Sequence, residues 1–511
     1  MSTANRVLKN TLFLYGKIAV TSVCLILSTR YVLKGLGVED FGVYNLICST
    51  IVMLGFLNDS MTAATQRFMS YAEGEGKFDK SIKIFNTSYT VHIIIALVVA
   101  SLFIILTPVV FGSYLQIPDE RRTAAMMVYF FMILSTGLNM ITVPYNATLI
   151  AHENMLYFSL VGILNGLLKL AVAIGVIYVP YDRLVAYGFL MLLIAFFDIA
   201  VVRIYCHIKY KECNISLRKH TDRAILKEML SFAGWQMTYS ASSILSIQGM
   251  SLILNSFYGT IMNAAQGIAR QVCGQMMTLC STMMSALNPV IVKKAGAHDQ
   301  EAMVRTVMTG SKLSYSLVIL VALPLLFELP FLLKVWLTKV PDYAIQFCQW
   351  EIIQQIIASF TMALVTMISG VGDIRGLQLM SAIVYVVRLP LIFIVLFFGG
   401  VPVTAYYIAT FAVVALCIGR IYYAHKKCNL PIMEYLITVI LPCLIVTFLI
   451  SIALYIVNIS VVAGWTRLIL TLLISVSVFA LTIYSIALNS PEREMIRNTV
   501  LKVIKNDRYK R

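Results

Sequence analysis

Residues 10–76 read NTLFLYGKIAVTSVCLILSTRYVLKGLGVEDFGVYNLICSTIVMLGFLNDSMTAATQRFMSYAEGEG. The stretch is two apolar runs joined by a short turn. Each run is long enough to cross about 30 Å of hydrocarbon at about 1.5 Å per residue. The pair nevertheless carries Lys17, Arg30, Asp59 and Arg67. A charge at the centre of a bilayer costs roughly 2.5–3.5 kcal/mol on insertion scales, so such residues face a partner or a water-filled cavity. Lys17 and Arg30 have long stems that can snorkel to headgroups. Asp59 lies deep in its run on a short stem and cannot.

The rest of the 511-residue chain repeats the pattern. It is 59% hydrophobic and 13% charged, with a mean hydropathy of +0.85, against about 25% charged residues in soluble domains. Apolar segments at 11–34, 41–69, 84–112, 124–149, 155–179, 184–206, 229–257, 262–290, 305–328, 344–369, 378–398, 401–423, 436–457 and 465–488 predict an all-α membrane protein of about fourteen transmembrane helices. Their continuous apolar character excludes an outer-membrane barrel, whose strands alternate over about ten residues.

Placing the amino terminus inside puts about 23 Lys and Arg in inner loops and about five, Arg121, Arg122, Arg183, Lys334 and Lys339, in outer ones. Both termini are therefore expected in the cytoplasm. The net charge of +16 is mostly orientation; the basic residues are dispersed among short loops, which argues against nucleic acid as a partner. The first run follows Arg6 and Lys9 as a signal peptide would, but it is too long and lacks a cleavage site, so it is read as a retained helix. Ten cysteines lie in spans or inner loops and predict no disulfide. Cys273 and Cys280, seven apart, have no clustered His or acidic partner, and no metal is expected.

The basic segment 207–228 divides the chain. It separates an amino-terminal lobe, 1–206 with helices one to six, from a carboxy-terminal lobe, 229–424 with helices seven to twelve. Residues 425–511 add helices thirteen and fourteen and a basic tail. The linker reads as an amphipathic helix on anionic headgroups. Shifted by about 222 residues, AATQRFMSYAEG from Ala63 falls on SALNPVIVKKAG from Ser285, and Ile117-Pro118-Asp119 falls on Val340-Pro341-Asp342. With a small adjustment Lys169 meets Arg388. A register kept over an even number of helices predicts a parallel repeat, with Lys169 and Arg388 at matching depth, facing each other across a lumen.

The motifs RYVLKGLGVEDFGVYNLI, QRF at the end of the second helix, the turns IPDE and VPDY, and GVGDIRG resemble those of bacterial polysaccharide flippases. These belong to the multidrug/oligosaccharidyl-lipid/polysaccharide exporter superfamily. The resemblance implies two six-helix bundles around a cationic central cavity. It implies alternating access that moves an undecaprenyl-diphosphate-linked oligosaccharide, of O-antigen, lipopolysaccharide or capsule type, from the cytoplasmic to the periplasmic leaflet. Membrane lipids are further partners, and polysaccharide polymerase machinery is one it allows.

The charges fit that implication. Lys17, Arg30, Arg67, Lys169, Arg270, Lys312 and Arg388 outnumber Asp59, Asp198 and Glu351 within the spans. A diphosphate is anionic, and guanidinium groups match its oxygens bidentately. Lys17, Arg30, Arg67, Lys169, Arg270 and Arg388 are thus the candidate substrate-binding residues. Asp59, Asp198 and Glu351 are candidates for H⁺ or Na⁺ coupling or for pairing with the cations; for Asp59 and Asp198, pairing is the preferred reading. Asn139, Asn146, Gln248, Asn255, Gln266, Gln271 and Gln275 suit sugar hydroxyls or interhelical hydrogen bonds. A multidrug exporter of the same superfamily is the alternative, which generally favours intramembrane carboxylates and cationic drugs. A membrane glycosyltransferase or sugar polymerase is a third reading, disfavoured by short outer loops. No P-loop is present to drive transport by ATP, and no cofactor is expected. A cysteine introduced at Arg218 should resist an impermeant thiol reagent in intact spheroplasts; its modification would overturn the topology.

Overall fold

Gly37 ends the first helix. It sits at φ 81° and ψ 173°, a backbone region that only glycine enters readily, and it breaks the helical run Thr3–Val52 in two. In this computed structural model the described residues are 3–52, 55–111, 119–216, 222–337, 340–487 and 493. The turn residues Ile117 and Pro118, Lys339, the middle of the linker at 217–221 and the basic tail beyond 493 lie outside them.

The protein is an all-α, multi-pass membrane protein. Its helices are α1 (Lys9–Gly37), α2 (Gly55–Glu75), α3 (Phe78–Val109), α4 (Arg122–Ala151), α5 (Met155–Gly175), α6 (Arg183–Lys209) and α7 (Arg223–Tyr258), followed by α8 (Thr260–Gly296) and α9 (Gln300–Trp336). Next come α10, a bent pair of Ala344–Ser359 and Met362–Val371, then α11 (Arg375–Phe397), α12 (Thr404–Cys428), α13 (Leu441–Ser460) and α14 (Trp465–Thr482). Among the described residues ten helices are long and apolar enough to span a membrane, or eleven if the two arms of α10, bent by 44°, form one span. The fourteen spans expected from the sequence would also require α2, α7 and α8, whose more polar composition sets them apart. Pro144 lies inside the continuous helix α4, and Thr148 Oγ1 donates to its carbonyl at 3.0 Å.

The chain divides into two compact units. The first is Lys9–Met237; the second is Thr238–Arg511 together with Met1–Leu8. The first unit has a core of Ile47, Phe103, Val128, Tyr129 and their neighbours. At one end of this unit Arg121 bridges Asp40 and Asp182, its Nη1 donating to Asp182 at 2.7 Å, and Asp182 also caps the first turn of α6 through the amides of Leu184 and Val185.

At the other end the linker corrects the surface-helix expectation. Residues 210–216 form no amphipathic helix; a single 3₁₀ turn, Lys211–Cys213, buries Glu212 and Cys213. Asn86 pins the strap from α3, donating to the carbonyl of Asn214 at 3.1 Å and accepting from the amide of Ser216 at 2.7 Å. His152, just past α4, is hydrogen-bonded to the buried Glu212 and lies 3.3 Å from Glu73 of α2, with its ring stacked on Tyr210 at 4.3 Å. The segment fails as a surface helix because its polar groups find fixed partners on the helix ends instead of water.

The second unit carries a buried ion pair. Arg467, at the start of α14, donates to both oxygens of Glu328 on α9 at 3.0 Å, and Thr471 Oγ1 adds a third donor at 2.9 Å. Glu328 is wholly buried and Arg467 is 8% exposed. Alongside it, Tyr315, Ile319 and Leu323 of α9 pack on Cys443, Val446, Ile450 and Leu454 of α13. Helices α13 and α14 are thereby fastened to α9.

Two consequences are measurable. Glu328→Ala leaves a buried guanidinium unpaired and should cost about 3–5 kcal/mol, whereas Glu328→Met combined with Arg467→Leu should restore most of the thermal stability in detergent; equal loss in both variants would contradict the assignment. For His152, burial lowers the pKa, but the hydrogen bonds and charges of Glu212 and Glu73 outweigh it and hold it up at about 9. A raised pKa stabilises fully below the unfolded value of about 6.5, and the contribution disappears as pH rises through 9. His152→Gln should therefore melt below the wild type at pH 6.5 and together with it at pH 9.5.

Candidate functional site

Each unit holds two cations gathered around one carboxylate. In the first unit the sequence VGILNGLLK, 161–169, places Gly162 and Gly166 one turn apart on α5 and lets α1 come close. A side chain at Gly162 would overlap Lys17 Cε, and one at Gly166 would come within 3.2 Å of Thr21 Cγ2. Lys17 therefore lies across Gly162, and its ammonium rests over the Phe158 ring at 4.0 Å. Asp198 of α6 lies near Asn165 and within electrostatic reach of both Lys17 and Lys169. Among the described residues neither lysine closes an ion pair with it. Lys169 is exposed on the unit, while Lys17 and Asp198 are half-buried.

The second unit repeats the arithmetic with different helices. Arg270 on α8 donates to the carbonyl of Ile247 on α7 at 2.7 Å. Glu351 on α10 lies in the field of Arg270 and of Arg388 on α11. Arg388 is buried, 5.7 Å from the Tyr385 ring. Tyr406 of α12 interacts with the same group. Among the described residues the Tyr406 hydroxyl and Arg388 Nε are buried without hydrogen-bond partners, as are Gln266 Oε1 and Gln354 Nε2.

At a separation on the order of 6 Å and an effective dielectric near 20, one opposite charge is worth about 3 kcal/mol. That matches the roughly 2.5–3.5 kcal/mol cost of one cation in the hydrocarbon. With two cations to one carboxylate, each cluster keeps a net positive charge.

The remaining candidates are spread out. Arg67 is boxed by aromatic rings, 4.6 Å from Phe68, 4.8 Å from Tyr71 and 5.8 Å from Phe232, with Glu75 and Glu228 nearby. Arg30 and Asp59 are exposed, and Lys312 is buried in α9. Asn139, Gln248 and Gln271 are exposed; Asn146 and Asn255 are half-buried. Lys169 and Arg388, aligned by the internal comparison, occupy different environments, one exposed and one buried. Phe158, Gly162, Asn165, Tyr385 and Tyr406 escaped the sequence reading. The Gly-x-x-x-Gly spacing just before Lys169 was the available signal for α5; Tyr406 had none, being one tyrosine among 27. Among the described residues no group of three or more His, Cys, Asp or Glu side chains is placed to hold a metal.

The fold is that of MATE-type transporters of the MOP superfamily. No family model matches the sequence, and no curated protein does. Solved structures do match. One is described as the outward-facing conformation of a multidrug resistance MATE family transporter of the MOP superfamily (13% identity, 84% of this chain and 96% of that one, TM-score 0.71). A second, a MOP superfamily transporter from Pyrococcus furiosus whose title reports a reverse polarity of its binding pocket and suggests a different function, matches at 13% identity over 84% and 96%, with TM-score 0.72. A third is a MATE in complex with MaD3S, at 14% identity over 84% and 97%, with TM-score 0.73.

Proposed function

We propose that this chain is a transporter of an anionic lipid-linked substrate, a flippase that moves an undecaprenyl-diphosphate-linked oligosaccharide from the cytoplasmic to the periplasmic leaflet by alternating access. The observation that carries the reading is the charge arithmetic: two cations to one carboxylate in each unit, Lys17 and Lys169 about Asp198, Arg270 and Arg388 about Glu351. An uncompensated cation in a low-dielectric setting favours an anionic occupant, and a diphosphate supplies it. The Pyrococcus neighbour's title, with its reversed pocket polarity, is a precedent on the same fold. The motif resemblance points the same way. In this reading the exposed Arg30 and the aromatic-boxed Arg67 are further contacts for the headgroup.

The competing reading is a cation-coupled multidrug exporter, for which Asp59, Asp198 and Glu351 would take H⁺ or Na⁺. Transport in vesicles separates the two. The purified protein should move a fluorescent polyprenyl-diphosphate-linked sugar and not ethidium. Lys169→Gln and Arg388→Gln should each lower that rate by at least about tenfold, a loss of roughly 1.4 kcal/mol, while Lys169→Arg preserves it. Ethidium transport without diphosphate transport would overturn the proposal.

A further inference from the structure

Beside the Arg121 bridge of the first unit, α4 and α6 part around an open groove of about 600 Å³. Small side chains, Ala124 on α4 and Ala186 on α6, make room for it. Just below them the helices close, because Gly188 admits Val128 so tightly that a side chain there would lie 3.0 Å from Val128 Cγ2. Phe131 and Phe189 meet edge to face at 5.8 Å at the deep end. Beyond it Phe130 and Leu134 of α4 and Leu193 and Phe196 of α6 are exposed. An apolar face of this kind suits hydrocarbon, not a watery lumen.

Glu120, Tyr181 and Asp182 stand at the mouth, and among the described residues no Lys or Arg lines the groove. The mouth has a carboxylate to spare. Asp182 is committed to Arg121 Nη1 and to the amides of Leu184 and Val185. The neighbouring guanidiniums are engaged elsewhere, Arg122 donating to the carbonyl of Phe111 at 3.3 Å and Arg183 to that of Gly35 at 3.1 Å. Glu120 is exposed and, among the described residues, closes no ion pair.

We propose that this groove binds one phospholipid with a primary-ammonium headgroup, of the phosphatidylethanolamine class. From Glu120 to Phe131 the groove runs about 16 Å at 1.5 Å per residue, which is the depth of one leaflet of a hydrocarbon core about 30 Å thick. An acyl chain lies over Ala124 and Ala186 while its headgroup stays at the mouth. A primary ammonium donates three hydrogen bonds and pairs with Glu120. A trimethylated head donates none, and an anionic head meets two carboxylates. The hydroxyls of Thr123 and Tyr181, both in the lining, offer donors to the phosphate without a positive charge that would draw an anionic lipid. The site is independent of the diphosphate reading.

The test counts lipid retained by the purified full-length protein, delipidated and then offered dioleoyl phosphatidylethanolamine, phosphatidylcholine or phosphatidylglycerol, by native mass spectrometry. The wild type should hold one phosphatidylethanolamine about fivefold more tightly than either competitor, the upper range for one exposed ion pair. Glu120→Gln should erase the preference, and Glu120→Lys should turn it toward phosphatidylglycerol. Ala186→Phe fills the groove and should lose all three lipids with helix content unchanged; should it fail to fold, Glu120→Lys, at an exposed position, decides alone. Equal retention of the three lipids by the wild type, a preference indifferent to Glu120→Lys, or a dimer of this chain in place of bound lipid overturns the proposal.

Discussion

A fixed charge in a hydrocarbon slab must be answered by an opposite charge, by water or by a ligand, and this protein answers its charges in two ways. At Glu328 and Arg467 the answer is complete: two oxygens, three donors and full burial. At Asp198 and Glu351 it is partial, because one carboxylate serves two cations. The first arrangement fastens helices. The second leaves a residual attraction, and the functional reading grows from that residue of unmet charge.

Helix boundaries were legible because hydropathy reports directly on the solvent a segment needs. The turn near Gly37 and the order of the helices follow from runs of apolar residues. Partnerships were less legible. Glu328 and Arg467 were not singled out, since nothing in the local sequence announces a partner 139 residues away. Lys17 and Asp198 were singled out only as charges within apolar runs; that a glycine on a third helix lets Lys17 approach became visible only with the packing of α1 on α5.

The linker shows the opposite error. Its basic composition suggested a helix on headgroups, yet Asn86 and His152 recruit its polar groups one after another. Charge counting describes the average environment of a segment, whereas a handful of directional hydrogen bonds decides its conformation. The strap belongs to the unit it leaves, and α7 begins only after Asp222 has capped it through the amide of Ala224.

The separation of Glu328 from Arg467 also bears on how the chain is made. Ribosomes add about 5–20 residues each second, so α9 enters the bilayer on the order of ten seconds before the arginine that neutralises it exists. For that interval the nascent protein carries a bare carboxylate in the membrane, which favours holding α9 at the translocon until α14 arrives. The arrival of α14 is thus the step that hides the charge of α9: without Arg467 and Thr471 the acid that the folded protein buries has no counter-charge.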